Sequence, residues 1–301
     1  MRNLKKMTIN KNVTKIIFFI GFWAVFYSQA VLWRNYLAER TGRQPELNFM
    51  NAQYHFQRGI EYGSEEELYK AVKLDPTNPH THHKLASYYV SFYAGARLDR
   101  AYEEYRKAML FADEKFLSKI LQDAYDNAQN IQRLKEIVPN TGKARYLFAE
   151  FLRDKNIYDE AILEFKQAAL MSGQARNNKI LAGSYNWIAI IYMWQGRFAD
   201  AVEYFDKAFF CARENVLKSW ILRNLGNTYA GMEDFKKAES ACKKSIESDP
   251  SAAANYYTLG NVYDKIGLPR QARDCYYTAL KFTNDRYLLE QISKKLKEIN
   301  S

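Results

Sequence analysis

Residues 80 to 83 read His-Thr-His-His, and imidazoles are ligand types for zinc or copper. To hold an ion, His80, His82 and His83 would have to converge on one point. The run Glu65-Glu66-Glu67 offers carboxylates, but acids in series at the start of a helix answer to its positive dipole end. Cys211, Cys242 and Cys275 are an odd number with no close pair, no CxxC and no Cys/His spacing, which argues against a disulfide framework or a zinc site. They read as small apolar fillers of helices. The chain contains no Gly-rich phosphate loop, no G-x-S-x-G, no H-E-x-x-H and no nucleophile with a His and an acid at a recognisable spacing. The expectation is therefore a protein that is not an enzyme and takes no cofactor and no metal.

The elements that carry these residues read as helices. The 301 residues are 48% hydrophobic and 15% aromatic, enough for a core. With only 13 glycines and 6 prolines, a nearly all-helical chain is favoured over a turn-rich sheet protein. The formal charge of +10 raises the question of nucleic acid. Five of the 44 bases, Arg2, Lys5, Lys6, Lys11 and Lys15, stand in residues 1–15 without an acid, which leaves 39 bases against 34 acids. That excess is too thin for a phosphate-binding surface, so nucleic acid is not an expected partner.

The basic start precedes "IIFFIGFWAVFYSQAVLW", residues 16–33, 18 uncharged residues bounded by Lys15 and Arg34. As a helix they would run about 27 Å, just short of a typical hydrocarbon core. The positive-inside bias keeps residues 1–15 in the cytoplasm and sends the chain beyond the 34–44 linker across. A competing reading is a cleaved signal peptide with Ser28-Gln29-Ala30 as its cleavage site, although the apolar run continues to Trp33. A third is a hydrophobic helix packed on the first folded unit. The leading expectation is a transmembrane signal-anchor in the inner (cytoplasmic) membrane, with the remainder periplasmic or otherwise extracytoplasmic.

Downstream the chain repeats itself. Leu-Gly-Asn-x-Tyr stands at 225–229 and again at 259–263, 34 residues on, and Ala238 and Ala272 each follow their Leu by 13. Residues 182–215 carry the same marks as Tyr185, Ile188, Ala189, Tyr192, Gly196, Ala201, Phe205 and Ala208. Residues 142–175 carry them as Phe148, Ala149, Leu152, Tyr158, Ala161, Phe165 and Ala168. Residues 79–115 show His82, Leu85, Ala86, Tyr89, Ala101, Tyr105 and Ala108, with about three extra residues in the turn. Residues 45–78 keep only Ala52, Gly59, Ala71 and Pro76.

This pattern resembles the tetratricopeptide repeat family, whose unit is a 34-residue helix-turn-helix. The resemblance implies an all-α, right-handed α-solenoid over residues 45–286, with units at 45–78, 79–115, 142–175, 182–215, 219–252 and 253–286. Ala or Gly at the eighth, twentieth and twenty-seventh places lets two helices approach, while Tyr, Phe and Leu at the fourth, seventh, eleventh and twenty-fourth fill the holes. One unit cannot bury its own apolar face, so the array holds only by stacking. Residues 116–141 break the period and read as one or two inserted helices stopped by Pro139. Residues 287–301 set Leu288, Leu289, Ile292, Leu296 and Ile299 on one face and lysines on the other, as a capping helix would. In this register His82 takes the buried fourth place, so the three histidines do not share one point.

First helices of such units line a concave groove, and the resemblance assigns its lining to the second, fifth, sixth, ninth, twelfth and thirteenth places. These are His83, Lys84 and Ser87; Tyr146, Glu150 and Arg153; Asn186, Ile190, Met193 and Trp194; Arg223, Asn224 and Asn227; Tyr257, Asn261 and Asp264. In the family an Asn at the ninth place commonly bonds the backbone of a bound peptide, the role implied for Asn227 and Asn261. The family's two-carboxylate clamp is incomplete, because Tyr257 and Thr258 stand where cations are required. Trp194, Met193, Tyr146 and Tyr257 suggest instead an extended or helical protein segment with apolar anchors.

The function implied is a membrane-anchored adaptor for a protein or peptide partner, placed in a bacterial envelope and, by analogy alone, in surface-polysaccharide assembly. A self-assembling homo-oligomeric array is the first alternative, and an apolar edge at the first unit would favour it. A helical-repeat nucleic-acid binder is the second, and Glu150 and Asp264 interrupt the basic groove it would need.

Overall fold

The structure, a computed structural model, describes residues 45–93, 97–128, 130–175 and 177–300. The basic N-terminus, the 16–33 anchor with its alternative cleavage site, and the 34–44 linker lie outside the described residues. Fifteen α-helices and no strand occur among the described residues. No helix among them is long and apolar enough to cross a membrane.

The chain divides into two compact units at Phe111/Ala112. The first holds α1 (Pro45–Tyr62), α2 (Glu65–Leu74), α3 (Pro79–Phe92) and α4 (Leu98–Phe111). The second opens with α5 (Glu114–Ala128) and α6 (Ile131–Ile137), followed by the pairs α7 (Gly142–Asp154) with α8 (Tyr158–Gln174) and α9 (Asn178–Trp194) with α10 (Phe198–Cys211). It ends with α11 (Asn215–Gly231) and α12 (Phe235–Ser248), α13 (Ala253–Lys265) and α14 (Pro269–Phe282), and α15 (Arg286–Asn300). Within each unit the two helices of a pair pack most heavily on each other and then on the helix of the adjacent pair, and α5 packs more on α7 than on α6.

Side-chain oxygens start many of these helices. Asn78 accepts from the His80 and Thr81 amides ahead of Pro79, Thr141 from Ala144, Asn177 from Ile180 and Asp234 from Lys237. The turns inside the later pairs share one geometry. Asn156, Gly196, Glu233 and Gly267, each the fifteenth residue of its unit, stand at φ between 59° and 75°. The following amide of Ile157, Arg197, Asp234 or Leu268 reaches back to the carbonyl of Leu152, Tyr192, Tyr229 or Tyr263 at 2.9–3.0 Å. Counted from Pro45, the left-handed residue of the first pair, Gly63, stands nineteenth, so that turn falls four residues later. Correspondingly α1 has 18 residues and α2 only 10.

Small residues at the twentieth and twenty-seventh places close the pairs. Ala161, Ala168, Ala201, Ala208, Ala238, Ser245, Ala272 and Ala279 have no exposed surface, nor do Phe165, Phe205, Cys242 and Tyr276 at the twenty-fourth. Gly226 and Gly260, at the eighth, lie directly against Cys242 and Tyr276. Ile292 is fully buried in the last cluster with Tyr263, Tyr276 and Ala279, and Leu288, Leu296 and Ile299 pack against its edge.

Candidate partner-binding surface

The residues assigned to the first-helix face fall into three groups. In the first unit His83 is half-buried with its ring 5.8 Å from Tyr105, Ser87 donates back to the His83 carbonyl at 2.9 Å, and Lys84 is exposed. Its neighbour His82 is 2% exposed, and both its ring nitrogens meet oxygens: Nδ1 the Glu104 carboxylate, Nε2 the Pro76 carbonyl at 3.0 Å. A ring engaged at both nitrogens leaves none for a metal. The same unit has a cavity of about 680 Å³ walled partly by Glu65, Glu66, Glu103 and Glu104. Those acids are already taken, by Arg97, Lys70 and Lys107.

The second group joins α7, α9 and α11. Tyr146 accepts a hydrogen bond from Trp187 Nε1 at 3.0 Å and sets its ring edge-on to Phe165. Gly183 makes room for that ring, since a Cβ there would come within 3.2 Å of it. The Arg153 guanidinium lies 3.8 Å from the Trp187 ring centre and pairs with Glu150 at 3.7 Å and Asp154 at 2.7 Å. Trp187 in turn meets Trp220 edge-on at 5.4 Å. Burial raises the Glu150 carboxyl above the usual carboxylate range and outweighs the pull of Arg153, and burial likewise lifts the Tyr146 phenol.

Beside that cluster the polar places are buried and under-satisfied. Asn186 has no exposed surface and neither of its amide atoms has a partner, while Asn224, 7% exposed, leaves its Nδ2 unpaired. Arg223 is half-buried, burial lowers its pKa, and no acid pairs with it among the described residues. Ile190 is 5% exposed and belongs to the core, Met193 is half-buried, and Trp194 is 53% exposed beside Tyr158.

The third group closes a pocket of about 230 Å³ between α11, α13 and α15. Asn227, Tyr257, Asn261 and Asp264 line it together with Ala230, Val262, Lys265 and Lys295. Asn261 Oδ1 accepts from the buried Tyr276 hydroxyl at 2.8 Å, and Asp264 pairs with Lys295 at 3.1 Å.

Four residues of this surface escaped the sequence reading. Trp187 and Trp220 stand at the sixth and second places, which the register assigns to the lining. Lys265 stands at the thirteenth place, directly after Asp264, and Lys295 lies on α15, whose residue pattern reads as a cap. Yet Lys295 follows Asn261 by 34 residues, as Asn261 follows Asn227, so α15 continues the ninth-place ladder.

Comparison with known proteins gives two family-model matches, both described as tetratricopeptide repeat, over residues 180–251 and 253–286. Among solved structures, the C-terminal part of a TPR repeat-containing protein from Cytophaga hutchinsonii is 15% identical, with a TM-score of 0.43 and 78% of each chain covered. Yeast Tom70 is 16% identical with a TM-score of 0.49, covering 91% of this chain and 58% of that one. No curated protein matches the chain.

Proposed function

We propose that the tetratricopeptide repeats of this chain form a scaffold that holds an extended segment of a protein partner along the first-helix face of residues 112–301. The observation that carries this reading is the α11 face, where, among the described residues, no acid pairs with Arg223 and Asn224 Nδ2 has no partner, beside an exposed Asn227. A buried polar group left unpaired costs roughly 1–3 kcal/mol, and a polypeptide supplies the amide and carboxylate groups that would relieve it. The Trp187–Trp220 pair and exposed Trp194 offer the apolar anchors such a segment needs.

Residues 16–33 are the membrane anchor in this reading, supported by their 18 uncharged residues and the five preceding bases. The repeats then work on the exported side of a bacterial cytoplasmic membrane, with surface-polysaccharide assembly as the machinery served. Alkaline extraction of membranes from cells making the full chain tests the anchor, and release into the soluble fraction would remove it. For the partner, crosslinking in intact cells compares wild type with an Arg223→Ala, Asn227→Ala variant. Loss of a defined captured protein, with an unchanged thermal unfolding midpoint, supports the groove; an identical captured set refutes it.

One observation favours a second reading, self-association. On α1 Tyr54 is 57% and Tyr62 68% exposed, with Arg58 within 6 Å of both rings. Sedimentation of the full chain in micelles would then show concentration-dependent oligomers that Tyr54→Lys with Tyr62→Lys abolishes; a constant monomer ends this reading.

A further inference from the structure

We infer that the cavity between α2 and α4 of the first unit is a binding site for a neutral saccharide. The inference is independent of the proposed groove, which lies in residues 112–301. At about 680 Å³ the cavity falls within the range of pockets that enclose small molecules.

Its walls follow from helix periodicity. Glu65, Glu66 and Tyr69 come from the start of α2, and Arg100, Glu103 and Lys107 recur at three- and four-residue steps along α4, so each set shares one helix face. Tyr89 of α3, 6% exposed, joins them. None of the lining residues is aliphatic, so an apolar ligand would strip water from charges and put nothing in its place.

Charge decides among the polar ligands that remain. Glu65 is held by Arg97 at 3.1 Å and Glu66 by Lys70 at 2.8 Å, while Glu103 and Glu104 share Lys107 at 2.9 and 2.8 Å. Arg100 adds a cation that pairs with no acid among the described residues. Acids and cations are thus matched, and a strongly charged ligand would have to break an existing pair.

Hydrogen-bonding capacity remains beyond those pairs. The lysines reach Glu66 and Glu103 at Oε1, which leaves each Oε2 to accept, and the exposed Arg100 guanidinium donates. A hydroxyl both donates and accepts, so a ring carrying several of them bridges this lining without displacing an ion pair. Tyr69, 50% exposed with the Lys73 ammonium 4.7 Å from its ring centre, supplies a flat apolar surface for the C–H face of a pyranose. Bonds to charged groups are stronger than neutral ones, which lets such a polar site hold its ligand against water.

The test presents the full chain, in lipid nanodiscs free of glycoside detergent, to an array of neutral, uronate-bearing and amino-bearing oligosaccharides. Calorimetric titration with the free monosaccharides runs beside it, and the two arms tell a chain-borne sugar from a free one. The expected result is selective binding of a neutral sugar that excess spermidine leaves in place. Tyr69→Ala and Glu103→Gln, at side chains half-exposed or more, should each weaken that sugar about tenfold with an unchanged thermal unfolding midpoint, and Tyr69→Phe should keep it within about threefold. Selection of uronate or amino sugars alone, displacement by spermidine, an array and titration without any bound sugar, or an affinity that survives Tyr69→Ala overturns the inference.

Discussion

Gly226 has no room for a methyl group, because a Cβ there would lie 2.5 Å from Cys242 Sγ and 3.4 Å from the Ala238 carbonyl. Gly226→Ala should therefore cost about 1–3 kcal/mol in denaturant unfolding, as overpacking does. Cys242→Ala in the same chain should return part of that loss, so the two changes are non-additive in a double-mutant cycle. The buried charge of the first unit responds to acid. Burial pushes the Glu104 carboxyl up, but hydrogen bonds from His82 and Lys107 prevail and hold it below its ordinary 4.5. A carboxyl with a depressed folded pKa stabilises fully above its unfolded value and loses that contribution as pH falls through the folded one. Unfolding midpoints measured below about pH 4.5 should fall with acid in wild type, and less steeply in Glu104→Gln. An unchanged slope in the variant would show that Glu104 does not carry the acid sensitivity.

At the scale of the helix pair, the recurrent device is the left-handed residue that follows α1, α7, α9, α11 and α13. Gly196 and Gly267 occupy that conformation without penalty, whereas Glu233 at φ 59° carries a side chain into it. Glu233→Gly should raise stability by about 1 kcal/mol in denaturant titration, despite the greater entropy of an unfolded glycine. Gly267→Glu should lower it by a similar amount. No gain in the first variant would mean that the turn is relaxed by its neighbours. The first pair obeys the same rule with a shifted turn at Gly63, and its close approach moves to Gly59, where a Cβ would meet Leu68 at 2.6 Å. That shift was hidden in the sequence because Ala52 and Ala71, both buried, fit the 45–78 register equally well.

Across the whole molecule, stability is built from neighbours, since each helix pair of the second unit packs on the next. Damage should therefore stay local. Hydrogen exchange of Gly226→Ala should speed up in α11 to α14 and leave α3 and α4 at wild-type rates; acceleration throughout would show that the chain unfolds as one body. The small-residue places of the last four repeats were legible from residue types alone, because a helix pair at close range tolerates only Ala, Gly or Ser at Ala161, Ala208 or Ser245, whatever surrounds it. The amphipathic face of α15 was equally plain in Leu288, Ile292 and Leu296. What sequence could not decide was which lining places face solvent and which are covered. Asn186, Ile190 and Trp194 share a helix and an assignment, yet the first two are buried and the third is open. Exposure depends on the bulk of side chains arriving from the adjacent helices, here Tyr146, Trp187 and Trp220, and on where α15 docks. Periodicity determines a residue's angle around its own helix; only tertiary packing decides what stands opposite it, and so turned Lys295 from a solvated cap lysine into a wall of the pocket.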